Sequence, residues 1–127
     1  MHQISPQEAE IMKIIWGAGD EKLTTRDIEA HLAAIDGKNR NISSLMTVLA
    51  RLVDKGFLDP VKKFRQSIYY EAIVQEAEYK AYATKLFIDG IHSGKLSSFV
   101  STLLDSGQYT QHDIDEMRNT LNQSRQP

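Results

Sequence analysis

Cysteine is absent from this chain of 127 residues. That removes disulfides, cysteine-type zinc sites and thiol catalysis together, and it fits a reducing compartment. Long apolar runs are missing too: none approaches the roughly 20 residues that span a bilayer. Residues 1–16 carry acidic groups and no signal-peptide pattern. A cytoplasmic protein with no membrane partner is therefore expected. No nucleophile–base pair, carboxylate pair in an apolar setting or phosphate loop is found, so no enzyme and no cofactor is expected. The four histidines (His2, His31, His92 and His112) lack metal-ligand spacing. A net charge of −2 does not suggest a non-specific nucleic-acid coat protein. The 41% hydrophobic content suffices for one domain, or a small domain with an oligomerisation tail.

What is present is organised around residues 41–70. Asn41 suits an N-cap, because its side-chain oxygen can accept from the orphan N–H groups of a first turn. Leu45, Val48, Leu49, Leu52 and Val53 then recur at i, i+3, i+4, i+7 and i+8, one buried face of a helix. Gly56, after Lys55, suits the left-handed position that ends it. The other face carries Ser43, Ser44, Met46, Thr47, Ala50 and Arg51. Small and short polar groups make a low surface that can press into a DNA groove, where Ser and Thr meet base edges or phosphates and apolar groups meet thymine methyls. Phe57-Leu58 and Val61 to Tyr70 follow, rich in aromatic and β-branched residues as strands are, with the basic residues at the turn. Helix, stop and basic hairpin are the sequence form of a winged helix.

Charge is segregated in the same way. Residues 37–70 hold seven basic groups (Lys38, Arg40, Arg51, Lys55, Lys62, Lys63 and Arg65) against Asp54 and Asp59, a net +5. With −2 overall, the remainder is −7. That is an electrostatic footprint for phosphates. The candidate DNA contacts are Arg40, Asn41, Ser43, Ser44, Met46, Thr47 and Arg51, with Lys62, Lys63, Arg65 and Gln66 at the hairpin tip.

Upstream, Ser5-Pro6-Gln7-Glu8 combines a cap, a first-turn proline and a capping-box glutamate. Ala9, Met12, Ile15 and Trp16, with Ile11 beside them, line the core side of the helix it opens. Lys22-Leu23-Thr24 reads as a short extended link. Thr24 then caps a second helix, with Asp27 at N3 and Ile28, Leu32 and Ile35 on its buried side. Residues 36–40 connect it to the third helix.

Downstream, residues 75–91 form a helix with Phe87 and Ile91 in an apolar second half. Leu96, Phe99, Val100, Leu103 and Leu104 repeat the one-faced pattern. Thr110, with Asp113 at N3, caps a final helix carrying Ile114, Met117 and Leu121, and residues 122–127 read as a frayed polar tail. These three helices are too few and too short to bury their own faces, so those ten apolar residues are the candidate dimer contacts. The expected fold class is mainly α with a small β-hairpin wing: a winged helix-turn-helix domain over 1–74 and a helical dimerisation domain over 75–127. The expected function is DNA reading by a homodimer that meets two half-sites at once. A winged-helix module that binds protein instead of DNA is the alternative.

Several stretches resemble the penicillinase-repressor family, which includes the methicillin-resistance and copper-operon repressors. Ile4 to Trp16 resembles its opening helix, Ser43 to Leu52 its recognition helix, and Lys55-Gly56-Phe57-Leu58 with Arg65 and Tyr69-Tyr70 its wing. The resemblance implies a sequence-specific DNA-binding transcriptional repressor of winged-helix fold, homodimeric through its C-terminal helices, on palindromic operators commonly built from TACA/TGTA half-sites. Ser43, Ser44 and Thr47 would face the major groove and Arg51 the backbone. The copper branch carries a C-terminal cysteine cluster that this chain lacks. The β-lactam branch is inactivated by cleavage of an Asn-Phe bond in the helix after Gly94; the matching position here reads Thr102-Leu103. Phe64 stands at the wing tip where the family often has Gly or Asn. Besides double-stranded DNA and a second copy of the chain, a protease or sensor partner is the further candidate.

Overall fold

The structure is a computed structural model describing residues 1–62 and 67–124. Helix α1 (Pro6–Gly17) opens with the expected capping box: the Glu8 N–H donates to the Ser5 hydroxyl at 3.1 Å, and the Ser5 N–H to the Glu8 carboxylate at 2.7 Å. Strand β1 (Leu23–Thr24) leads into α2 (Thr25–Asp36), where Thr24 and Asp27 form a second capping box. Helix α3 (Ile42–Asp54) follows, capped by Asn41. Two more strands, β2 (Leu58–Lys62) and β3 (Ile68–Ala72), make the hairpin.

The α3 stop is built as a left-handed turn. Gly56 takes φ +81°, a value that a side chain disfavours. Its N–H donates to the Val53 carbonyl at 3.0 Å, and the Phe57 N–H reaches the Leu52 carbonyl at 2.9 Å. This double bond pattern satisfies two orphan carbonyls and drops Phe57 into the core beside Leu52.

Two expectations are corrected in this region. Lys22 to Thr24 is more than a link: Leu23 and Thr24 pair antiparallel with Tyr70 and Tyr69, so the wing is a three-stranded sheet in the order β1-β3-β2. A two-residue strand has no periodicity of its own, and its partner lies far along the chain. Ile35 is not on the buried side of α2; it is 75% exposed. Leu32 is the last residue of α2 to reach the core, and the final turn runs past the neighbours that would cover it.

The core joins Ile11, Met12 and Ile15 of α1 to Leu23, to Ile28 and Leu32 of α2, and to Leu45, Val48, Leu49 and Leu52 of α3, with Phe57, Leu58 and Tyr70 from the wing. Trp16 is half-buried against it, and its indole N–H donates to the Val74 carbonyl at 2.9 Å. Sixteen-residue α4 (Glu76–Ile91) begins on the same core. Tyr79 packs edge-on to Phe57 with ring centroids 5.3 Å apart, and its hydroxyl accepts from the Ile4 N–H at 3.0 Å.

The chain divides into two compact units, residues 1–82 and 83–127. The second holds the rest of α4, then α5 (Leu96–Asp105) and α6 (Gln111–Gln123). Thr110 and Asp113 form the capping box of α6. Residues 122 and 123 continue this helix, correcting the expected tail, because the carbonyls of Glu116 and Thr120 still find partners within it or at its cap. His92 lies between the rings of Phe87 and Phe99, each centroid 5.5 Å away, with its Nδ1 3.0 Å from the Ser98 hydroxyl. Among the described residues of 83–127 it alone is buried, at 8% exposure.

Candidate nucleic-acid interface

The candidate recognition surface is the side of α3 away from the core. Asn41 fixes its start: the side-chain oxygen accepts from the Ser43 N–H at 2.8 Å, and the Leu45 N–H bonds to the Asn41 carbonyl at 3.1 Å. With Leu45, Val48, Leu49 and Leu52 buried, helical spacing leaves Ser43, Ser44, Met46, Thr47, Ala50 and Arg51 outside, and all six are exposed. Thr47 donates its hydroxyl to the Ser43 carbonyl at 3.0 Å.

The helix is anchored from behind by Glu8, whose side chain is 2% exposed. The Lys55 ammonium reaches it at 2.7 Å and the Gln3 carbonyl at 3.3 Å. Burial pushes the Glu8 carboxyl up, but the hydrogen bonds from Lys55 and Ser5 outweigh it and hold the group below the usual carboxylate range. One Glu8 oxygen, Oε2, is buried without a hydrogen-bond partner among the described residues. Lys55 thus belongs to the structural pair that ties α1 to the end of α3, and its charge leaves the expected phosphate footprint. The capping-box pattern in the sequence marks Glu8, but nothing local shows that its carboxylate is buried against a lysine 47 residues away.

The other basic groups divide in three. Arg40 stands just before the Asn41 cap and is held by both Asp36 carboxylate oxygens. The guanidinium, and the Lys38 N–H after it, keep the Asp36 carboxyl below the usual range. Lys38, Arg51 and Lys62 are exposed, with Lys62 ending β2. Lys63, Phe64, Arg65 and Gln66 lie outside the described residues. Just before β1, Lys22 pairs with Glu71 of β3 at 2.6 Å. Helix α3 therefore carries Ser43, Ser44, Met46, Thr47 and Arg51 on its exposed side, with Asn41 at its cap and Arg40 just before it, while Lys62 ends β2. Among the described residues no group of three or more His, Asp or Glu side chains could share a metal ion, and no helix is long and apolar enough to cross a membrane.

A three-helix unit closed by a small antiparallel sheet, with an exposed helix of low relief, defines a winged-helix protein. Comparison with known proteins fixes which one: residues 4–123 match the penicillinase repressor family, and the chain belongs to it. It is 32% identical over 123 residues to the methicillin resistance regulatory protein MecI of Mammaliicoccus sciuri, covering 95% of this chain and 94% of that one. It is 28% identical over 123 residues to the penicillinase repressor of Bacillus licheniformis, covering 97% and 92%. Among solved structures it is similar in fold to H. salinarum RosR, with a TM-score of 0.54 at 16% identity over 83% of this chain and 94% of that chain. The protein is a DNA-binding transcriptional repressor, and the protein-binding alternative is not favoured.

Proposed function

We propose that the chain represses transcription as a homodimer on an inverted-repeat operator. α3 of each copy enters the major groove, and the 62–66 wing tip touches phosphate or minor groove. The observation that carries this reading lies at the other end of the chain. Residues 83–127 form three helical segments, yet none of their described apolar side chains is buried. Phe87, Ile91, Leu96, Leu104 and Leu121 are 48%, 69%, 60%, 47% and 60% exposed. Phe99, Val100, Leu103, Ile114 and Met117 are half-buried. A groove of about 370 Å³ lies open between α5 and α6, lined by Leu103, Leu104, Tyr109, Ile114 and Met117. Exposed apolar surface on this scale is characteristic of an interface. A second copy covers it symmetrically and brings two α3 helices to half-sites about 34 Å, or a multiple of one helical turn, apart.

In this reading DNA occupancy alone does the work; no bond is made or broken by the repressor. A protease or sensor partner acting near Thr102-Leu103 would end repression by breaking the dimer. That peptide lies within α5, with Thr102 exposed and its hydroxyl bonded to the Ser98 carbonyl at 3.0 Å, so cutting it requires the turn to open. Selection of bound duplexes from a random pool, followed by affinity against salt, tests the proposal. An enriched inverted repeat with a linear fall of log affinity against log salt supports it. An unrepeated motif, or none, contradicts it.

A further inference from the structure

The outward stripe of α3 is Ser43, Met46, Thr47, Ala50 and Arg51, at i, i+3, i+4, i+7 and i+8. Its two ends are polar and its centre is not. Met46 is 49% exposed with no core side to hold it, and Ala50 beside it offers only a methyl. Thr47 is the polar exception by type, but its one hydroxyl proton is donated to the Ser43 carbonyl at 3.0 Å. What Thr47 still presents is a methyl group and an oxygen lone pair. It cannot donate to guanine O6 or N7, nor to thymine O4, without giving up that bond. The apolar group that B-DNA displays in its major groove is the thymine 5-methyl.

We propose that the centre of α3 selects its operator by packing Met46, the Thr47 methyl and Ala50 against thymine 5-methyl groups, with Thr47 acting through its methyl and not as a hydrogen-bond donor. This rests on the reading that α3 enters the major groove. It assigns Met46 and Thr47 to specificity, and leaves Arg51 and the wing lysines to phosphate. The same apolar centre would suit a protein surface, so the test must separate a base methyl from any other apolar partner.

Deoxyuridine differs from thymidine only by that methyl. Duplexes enriched from a random pool are resynthesised with each thymine in turn replaced by deoxyuridine, and binding to the full chain is followed by fluorescence anisotropy. Loss of one buried methyl should weaken binding about fourfold at the contacted thymines and leave the others unchanged. Thr47→Val keeps the methyl and removes the hydroxyl; it should retain the preferred motif and its deoxyuridine sensitivity. Thr47→Ser keeps the hydroxyl and removes the methyl; with Met46→Ser, it should lose that sensitivity at the thymine it touches. Both sites are solvent-facing, so folding is preserved and circular dichroism checks it. A motif whose every thymine tolerates deoxyuridine overturns the proposal while leaving the repressor reading intact, as does a Thr47→Val chain that loses the motif while Thr47→Ser keeps it. A pool that enriches no motif overturns both.

Discussion

Helices α1 and α6 start alike and end differently. Each opens with a capping box, Ser5 with Glu8 and Thr110 with Asp113, and each then spaces apolar residues for one face. On α1, Ile11 and Met12 are 2% and 0% exposed. On α6, Ile114 and Met117 are half-covered and Leu121 is 60% exposed. Local signals therefore make helices equally well in both units. What differs is the supply of neighbours: α1 is met by α2, α3 and the sheet, whereas no described apolar side chain of 83–127 is buried. A one-faced helix pattern announces a buried face but not which chain buries it.

The largest effect should come from the closed unit. Phe57→Ala removes a fully buried ring where α3 turns into the wing, and should cost about 3–5 kcal/mol in urea unfolding. A loss below about 1 kcal/mol would mean that the 1–82 core is looser than its burial shows. Next, Leu96→Glu with Leu104→Glu places charge on the open face without touching that core. These changes should convert a dimer to a folded monomer and weaken binding to an inverted repeat about a hundredfold, with affinity for an isolated half-site unchanged. Retention of the dimer would break the contrast between the units.

Glu8→Gln sharpens it from the other side. Lys55 would lose its buried counter-charge, but at 32% side-chain exposure it can turn to water, so the cost should be about 1–2 kcal/mol at neutral pH. The Glu8 carboxyl sits below its usual range in the folded chain. Its contribution is therefore full above that range and lost as pH falls through the folded value. The urea midpoint of the unmodified chain should fall on acidification, and the part of that fall due to Glu8 should vanish in the variant. The smallest effect is expected from Lys62→Ala on the wing. It should reduce the salt slope of DNA binding by about 0.9 and weaken all sequences alike.

Caps and stops were legible because they are local. Ser5, Thr24, Asn41, Thr110 and Gly56 each act on groups within a few residues, and each acts as its type suggests. The α3 stripe was legible for the same reason, and with it the outward position of Ser43, Ser44, Met46, Thr47 and Arg51. Long-range pairings were not. The Leu23 to Tyr70 register makes a strand out of two residues, and Lys55 leaves the cationic surface to meet Glu8. Ile35 follows the α2 periodicity faithfully and still faces solvent, because periodicity does not report where the neighbouring helix ends. The burial of His92 between Phe87 and Phe99 arises only once the turn at Ser93 and Gly94, both at positive φ, folds α5 back toward α4.

Sedimentation equilibrium of the intact chain across a wide range of micromolar concentrations bears most directly on the division of labour between the two units. If 83–127 is completed by a second copy, the mass should be twice 14.4 kDa and fall toward 14.4 kDa for the Leu96→Glu, Leu104→Glu chain. A mass of 14.4 kDa for the unmodified chain at every concentration would contradict it.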